Sequence, residues 1–531
     1  MKKAFLALLA ALMAFAFVSC GGKEEAAEVA MVKEPVEFRL NNGAEPESLD
    51  PHLIQGVPEH RIYEALFEGL ITYNPEDASP LPGVAESWEA SNGGTTYTFK
   101  IREGLVWTDG VKIDANTVVD SWIRMLDPAT GSNYAWFPNM FIKGAEAFNS
   151  GEAGADSVQI RALDDMTFQM DLLGPLPYVI GALAHYSFGI VPMHAIEKFG
   201  NDWTKPENFV GNGPYVLESW VPQDKITVVP NDKYWDAEAV KLDRVVYLPI
   251  EDQNTSHNMY LNGEIDWDTT APQDQIEQIQ FRDDYHATPQ LGTYYYVFQN
   301  EKKPFDDPRV RKALSMGFNR KNLVEKITKA GQIPAYSMVP DMAGYPAISG
   351  NFEDFDEAKK LLAEAGYPGG EGFPAFEILY NTSEGHKKIA EYIQSEWKNN
   401  LGIDVSLLNQ EWATYLSTRN MGDFQVARAG WIGDYQDPNT FLDMFITGTP
   451  MNGGKYSNPK YDELISKAAT MPDGPERMSV LADAEKIFIL EDMGVMPIYY
   501  YVTINMIDLN KWGGFNFNVL DTHPPKDIYL K

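Results

Sequence analysis

The stretch VARAGWIGDYQDPNTFLDMF, Val426 to Phe445, places a cation, Arg428, and an anion, Asp434, a few residues apart among glycines and aromatic residues. Taken alone, an Asp or an Arg is ordinarily half of a surface salt bridge and contributes little. The weight of this stretch comes from the chain on either side of it.

Outward from there the pattern mixes helix and strand. Thr95 to Ile101 alternates as a strand. Asp114 to Asp127 reads as a helix with Asp114 as its N-cap. Tyr215 to Pro230 reads as a hairpin around Pro222-Gln223-Asp224, and Asp307-Pro308 as a helix start. Gly317-Phe318-Asn319 breaks that helix before a second one, Arg320 to Lys329. Asp356 to Ala365 is amphipathic and stopped by Gly366, with Pro368 beyond. Ile389 to Asn400 and Pro475 to Leu490 are further helices, and Ile403 to Asn409 and Met496 to Thr503 further strands.

The first twenty residues carry a different signal. Met1-Lys2-Lys3 is basic, Ala4 to Val18 is apolar, and small residues flank Cys20, the only cysteine in the chain. This is the form of a signal peptide, and it resembles a lipobox whose cysteine receives the lipid. One cysteine excludes internal disulfides and CxxC sites. Residues 21–34 lack periodicity and read as a flexible tether. No later run is long enough for a membrane span.

About five hundred residues follow, too many for one core, so two or three domains are expected. A net charge of −33 argues against nucleic acid, which needs a basic surface. There is no GxSxG, phosphate loop or HExxH, and no two histidines stand at i, i+4. The chain therefore reads as a non-enzyme without metal or cofactor. A carboxylate pair for hydrolysis is the low-ranked alternative, since nothing singles one out.

Several stretches then resemble the oligopeptide-binding receptors of bacterial ABC permeases (solute-binding family 5, cluster C). They include NNGAEPESLDPHLIQGVPE (Asn41 to Glu59), LFEGLITY (Leu66 to Tyr73), FVGNGPYVLESW (Phe209 to Trp220), GTYYYVFQN (Gly292 to Asn300), DDPRVRKALSMGFNR (Asp306 to Arg320) and the stretch quoted first. They run in order through nearly the whole mature chain. The resemblance implies a two-lobed α/β fold, periplasmic-binding-protein-like of type II, with an extra inserted domain. Lobe I would be 35–67, 193–291 and 502–531, the inserted domain 68–192, and lobe II 292–501. Hinges would lie near Leu291-Gly292 and near Tyr501. It further implies a monomer held to the cell envelope through Cys20, which closes on an oligopeptide and presents it to permease transmembrane subunits. A murein or signalling peptide or a nickel chelate is the alternative ligand on the same fold, and a chaperone the alternative of another class.

A peptide of arbitrary sequence offers only its main chain and its two charged ends as fixed features, so its receptor needs a buried anion and buried cations. By resemblance Asp434 meets the ammonium, while Arg428, Arg419 and His386 meet carboxylates. Tyr134, Trp412, Trp431 and Tyr295 line side-chain pockets, and Gln55, Val57, Asn381 and Gly430 complete the site. Three departures stand out. Gln55 and Val297 stand where acids are found, which weakens any preference for Lys-containing peptides. Trp267-Asp268-Thr269-Thr270 replaces a Tyr-Asn-Asn stretch.

Overall fold

Two long strands, Tyr285–Phe298 and Val495–Ile507, organise the structure. Their sequences, YHATPQLGTYYYVF and VMPIYYYVTINMI, are rich in the β-branched and aromatic residues that suit a pleated, buried surface. They pair antiparallel with each other, and each also borders a different half of one eleven-stranded sheet. On one side Gly292–Phe298 pairs with the strand Val426–Ile432, which continues through parallel pairings to Phe376–Asn381 and Val405–Gln410. On the other side Ile507 and Met506 meet Trp267 and Asp268. From there the sheet continues through Glu37–Asn41 and Arg244–Leu248 to the hairpin Lys225–Pro230 and Tyr215–Val221.

Between the two halves the register slips. Pro289 pairs with Val502, but the next paired residue, Thr293, meets Tyr500. Gln290, Leu291 and Gly292 thus stand opposite Tyr501 alone. Extra residues on one strand bend it and increase its twist. A Cβ at Gly292 would lie 2.7 Å from Ile432 Cδ1 and 2.9 Å from Tyr501 Cδ2, so glycine is what lets the strands approach here. The irregularity falls where the sequence reading places its hinges.

The computed structural model describes residues 34–350 and 352–531. The signal peptide, Cys20 and the tether up to residue 33 lie outside the described residues. From Val36 to Lys531 the chain is one compact unit. Within it, residues 85–171 build a separate four-stranded antiparallel sheet, covered by the helix Ala115–Leu126. The Asp114 carboxylate accepts from the Asn116 and Thr117 N–H groups, and the Thr117 hydroxyl accepts from the Asp114 N–H, a closed capping box. Val118, Trp122, Met125 and Leu126 share the buried face, with Trp122 edge-on to Phe168 at 5.0 Å.

Other boundaries shift from the sequence reading. The helix expected from Ile389 begins at Glu384, because its first turn, Glu384 to Lys387, is polar and shows no apolar period. The helix Phe355–Glu364 is capped by Asp354 rather than opened by Asp356. Pro475–Glu485 ends in a wider turn, Lys486–Glu491. Among the described residues no helix is long and apolar enough to cross a membrane.

That last helix anchors the loop after Val426–Ile432. Arg477, fully buried, donates from both Nη atoms to the Asp437 carboxylate at 2.7 and 2.8 Å. Asp437 also caps the turn Pro438–Phe441 through the Asn439 N–H. Breaking one side of a buried pair leaves an uncompensated charge. Arg477→Met is therefore expected to lose about 3–5 kcal/mol, read as a lower urea midpoint. Adding Asp437→Asn is expected to restore part of that loss.

Candidate functional site

The two halves of the sheet, together with Tyr73, Tyr134, His185 and Tyr186, line a cavity of about 470 Å³, within the range of ligand sites. Of the twelve residues placed in the site by the sequence reading, eleven line it: Gln55, Val57, Tyr134, Asn381, His386, Trp412, Arg419, Arg428, Gly430, Trp431 and Asp434. Tyr295 does not. Side chains alternate along a strand. Tyr294 stacks on Tyr499 toward Arg428, whereas Tyr295 lines a small neighbouring cavity beside Met444 and Phe445 that shares Arg419, Trp431 and Met451 with the main one.

Asp434 follows the strand Val426–Ile432 and is fixed by its backbone. Its N–H donates to Thr440 Oγ1 at 3.0 Å, and its carbonyl accepts from the Tyr73 hydroxyl at 3.1 Å. Its carboxylate is only 8% exposed, and Oδ2 has no hydrogen-bond partner. Burial, reinforced by the nearby Asp443, pushes this carboxyl well above the usual carboxylate range. A buried charge without a partner is costly, and a cation delivered to it removes that cost. The nearest positive candidate is not charged: burial drives the His185 imidazole well below its ordinary pKa. Its Nδ1 accepts from the Ser187 N–H at 3.4 Å and lies 2.9 Å from Ser187 Oγ. The proton of the neutral ring thus sits on Nε2, 3.4 Å from Asp434 Oδ1. The Tyr134 ring packs against this imidazole at 4.6 Å.

The cations lie on the same cavity. Arg428 donates from Nη1 to Asn381 Oδ1 at 3.2 Å and from Nη2 to the Tyr501 hydroxyl at 3.0 Å, over the Tyr294 ring. Its Nε has no partner. Arg419, in the last turn of Trp412–Met421, has only a 3.4 Å contact to Asn420 Oδ1. Among the described residues neither guanidinium has a carboxylate within 4.0 Å. His386, in the first turn of Glu384–Leu401, is 3.3 Å from the Tyr294 hydroxyl. Burial and the Arg428 charge hold it well below its ordinary pKa, so it acts as a neutral hydrogen-bonding group. A cavity with one carboxyl that gains most from a cation and two guanidinium groups without a carboxylate partner suits a ligand charged oppositely at its two ends. Among the described residues no cluster of His, Cys, Asp and Glu could hold a metal.

The opposite walls touch. Asn420 Nδ2 donates to Gln55 Oε1 at 2.9 Å, Trp412 Nε1 to Glu59 Oε1 at 3.2 Å, and Gln436 Nε2 to the Asp77 carbonyl at 2.9 Å. Lys388 meets Asp274 at 2.7 Å. Tyr73 and His185 were not singled out from sequence, and Tyr501 was named only as a hinge point. They come from separate segments, and no spacing links them to the quoted stretch.

Residues 79–453 match the family "Bacterial extracellular solute-binding proteins, family 5 Middle". The chain is 39% identical over 501 residues to the periplasmic oligopeptide-binding protein OppA of Salmonella typhimurium, covering 92% of each. It superposes on Haemophilus influenzae OppA in complex with the peptide RPPGFSPFR with a TM-score of 0.90, at 34% identity, covering 94% of this chain and 99% of that one. Two structures of the Escherichia coli murein tripeptide-binding protein MppA divide on conformation. One gives a TM-score of 0.90 (38% identity, 94% and 99% covered). The other, an unliganded open form, gives 0.64 (37% identity, 94% and 98% covered). The walls of the present cavity are thus drawn together relative to that open form.

Gly430 lies between Arg428 and Ile432 on one strand face, where a Cβ would collide with the Tyr501 hydroxyl and lie 3.3 Å from Arg428 Nη2. Gly430→Ala is expected to displace both groups and weaken ligand binding about tenfold or more, roughly 1.4 kcal/mol. Calorimetry would measure this, with circular dichroism showing an unchanged fold.

Proposed function

The chain belongs to the family 5 bacterial extracellular solute-binding proteins, and on that premise we propose that it captures oligopeptides by lobe closure and delivers them to an ABC permease. The observation that carries this reading is the pairing of an unpartnered buried carboxylate, Asp434, with the uncommitted guanidinium groups of Arg428 and Arg419 on one enclosed cavity. A zwitterionic main chain satisfies all of them together. Its ammonium enters at Asp434 Oδ2, and its carboxylate reaches Arg428 or Arg419 according to length. Trp412, Trp431 and Tyr134 give side-chain contacts, and bridging waters adapt the remaining space to different side chains.

Closure follows from the same chemistry. Asp434 belongs to one wall and Tyr73 and His185 to the other, so the ammonium pocket is complete only when the walls meet. A ligand shifts the open–closed equilibrium by the difference in its affinity for the two forms. Here that difference includes the charges it neutralises in the closed one. The division into lobe I (35–67, 193–291, 502–531), inserted domain (68–192) and lobe II (292–501) fits this scheme. The substrate is bound and released unaltered, by a monomer tethered to the cell envelope through a lipid on Cys20.

Native mass spectrometry of protein lacking the first twenty residues is expected to show co-purified short peptides. Asp434→Ala is expected to weaken free peptides more than tenfold, at least ~1.4 kcal/mol, by calorimetry. Equal binding of free and N-acetylated peptides to the unsubstituted protein would rule out the ammonium role of Asp434. In cells fed labelled palmitate, Cys20→Ala is expected to abolish incorporation; unchanged incorporation would remove the anchor from the scheme.

A further inference from the structure

The wall of the cavity away from Asp434 and Arg428 carries a third guanidinium that the peptide-end scheme does not use. Arg61 lies in the helix Val57–Leu66 and lines the cavity together with Gly43, Gln253, Thr270, Gln290 and Thr522. Its Nε is buried and has no hydrogen-bond partner. Among the described residues the one hydrogen bond of its guanidinium is a long contact, Nη1 to the Asn42 carbonyl at 3.4 Å. Among the described residues no carboxylate lies within 4.0 Å of it. The Trp267 ring, 5.5 Å from its Cζ, supports it from one side. This is the aromatic residue that opens the stretch departing from the family pattern.

The charged neighbours do not neutralise Arg61. Asp521 is already engaged: its Oδ1 accepts from His523 Nε2 at 3.0 Å and from Asn505 Nδ2 at 2.9 Å. Glu64 is half-buried in the next turn, and burial pushes its carboxyl up to about 8, so it carries a proton at neutral pH and can donate. His60, on the same helix, is held neutral by burial and by Arg61 itself, at about 4. Burial pulls the Arg61 guanidinium below its ordinary pKa in spite of Asp521 and Glu64. The direction of that shift marks a cation whose surroundings under-compensate it. The wall also carries Asp521 and Glu251, but neither comes within 4.0 Å of the guanidinium, so its donors remain open to an incoming anion.

We propose that Arg61 forms an anion subsite that selects ligands bearing a carboxylate side chain, Asp- or Glu-containing peptides in particular. The inference rests on the peptide reading above and adds a side-chain preference to it. A carboxylate here takes two N–H donors from the planar fork of Arg61, a geometry lysine does not offer. The net charge of −33 repels an acidic peptide at long range. That field is screened beyond about 8 Å at physiological salt, so the local contact decides binding.

The test is a set of free tri- and tetrapeptides in which Glu replaces Gln at each position in turn, titrated calorimetrically into the mature protein. The unsubstituted protein is expected to bind Glu at least about fivefold tighter than Gln at one position. Arg61→Met keeps the stem against Trp267 and is expected to bring that ratio to within about twofold, leaving the Gln peptide unchanged. Arg61→Lys is expected to keep part of the preference. Peptide binding with no Glu preference at any position overturns the subsite alone. So does a preference that survives Arg61→Met, or an equal weakening of Glu and Gln peptides by Arg61→Met. Binding of no peptide by the unsubstituted protein overturns the peptide reading and the subsite with it.

Discussion

The antiparallel pairing of Tyr285–Phe298 with Val495–Ile507 is the interaction that both halves of the molecule share. Each strand is long enough to run from one half of the sheet into the other, so the halves are joined through main-chain hydrogen bonds rather than a loose linker. The slip in register opposite Tyr501, one of two in that ladder, lies on the cavity, since Tyr501 lines it. Pairing is already interrupted there, so bending at this point costs fewer ladder hydrogen bonds than bending within a regular stretch. Tyr501 links this point to the site, because its hydroxyl accepts from Arg428.

The chemistry of the cavity is a matter of groups left unsatisfied. Most buried charges in the molecule are matched. Arg477 has Asp437, and Arg124 holds Asp50 at 2.6 Å. Arg311 and Arg320 donate to backbone carbonyls. Asp434 Oδ2 and the Nε atoms of Arg428 and Arg61 have no hydrogen-bond partner, and these three residues line one cavity together with Arg419. Unpaired buried charge is destabilising in an ordinary core and useful in a binding site, where the ligand supplies the partner. Burial holds the histidines beside them, His60, His185 and His386, well below their ordinary pKa.

Much of this was legible in the chain. Capping and stop signals gave elements such as Ala115–Leu126, with Asp114 on its N-cap, and the hairpin Tyr215–Pro230, because those signals act over three or four residues. The helix at Glu384 was read as starting late, since a polar first turn hides its apolar period. Val426 to Phe445 carried Arg428, Gly430, Trp431 and Asp434 in one segment, and strand alternation alone keeps Arg428 and Gly430 on one face. Tyr295 was read into the main site but lines the small neighbouring cavity. Within a run of three tyrosines, the sequence does not say which face the cavity occupies.

The sequence by itself determined the class of architecture, the elements and the one segment with opposite charges close together. All of these are set by local backbone preference and side-chain period. Tertiary structure alone decided which charges are left without partners. Arg61 looks like any surface helix arginine until Trp267 and the cavity surround it, and Asp434 is an ordinary acid until His185 and Tyr73 arrive from the other wall. Pairing and desolvation depend on what residues hundreds of positions away bring to within a few ångströms, and no local pattern encodes that distance.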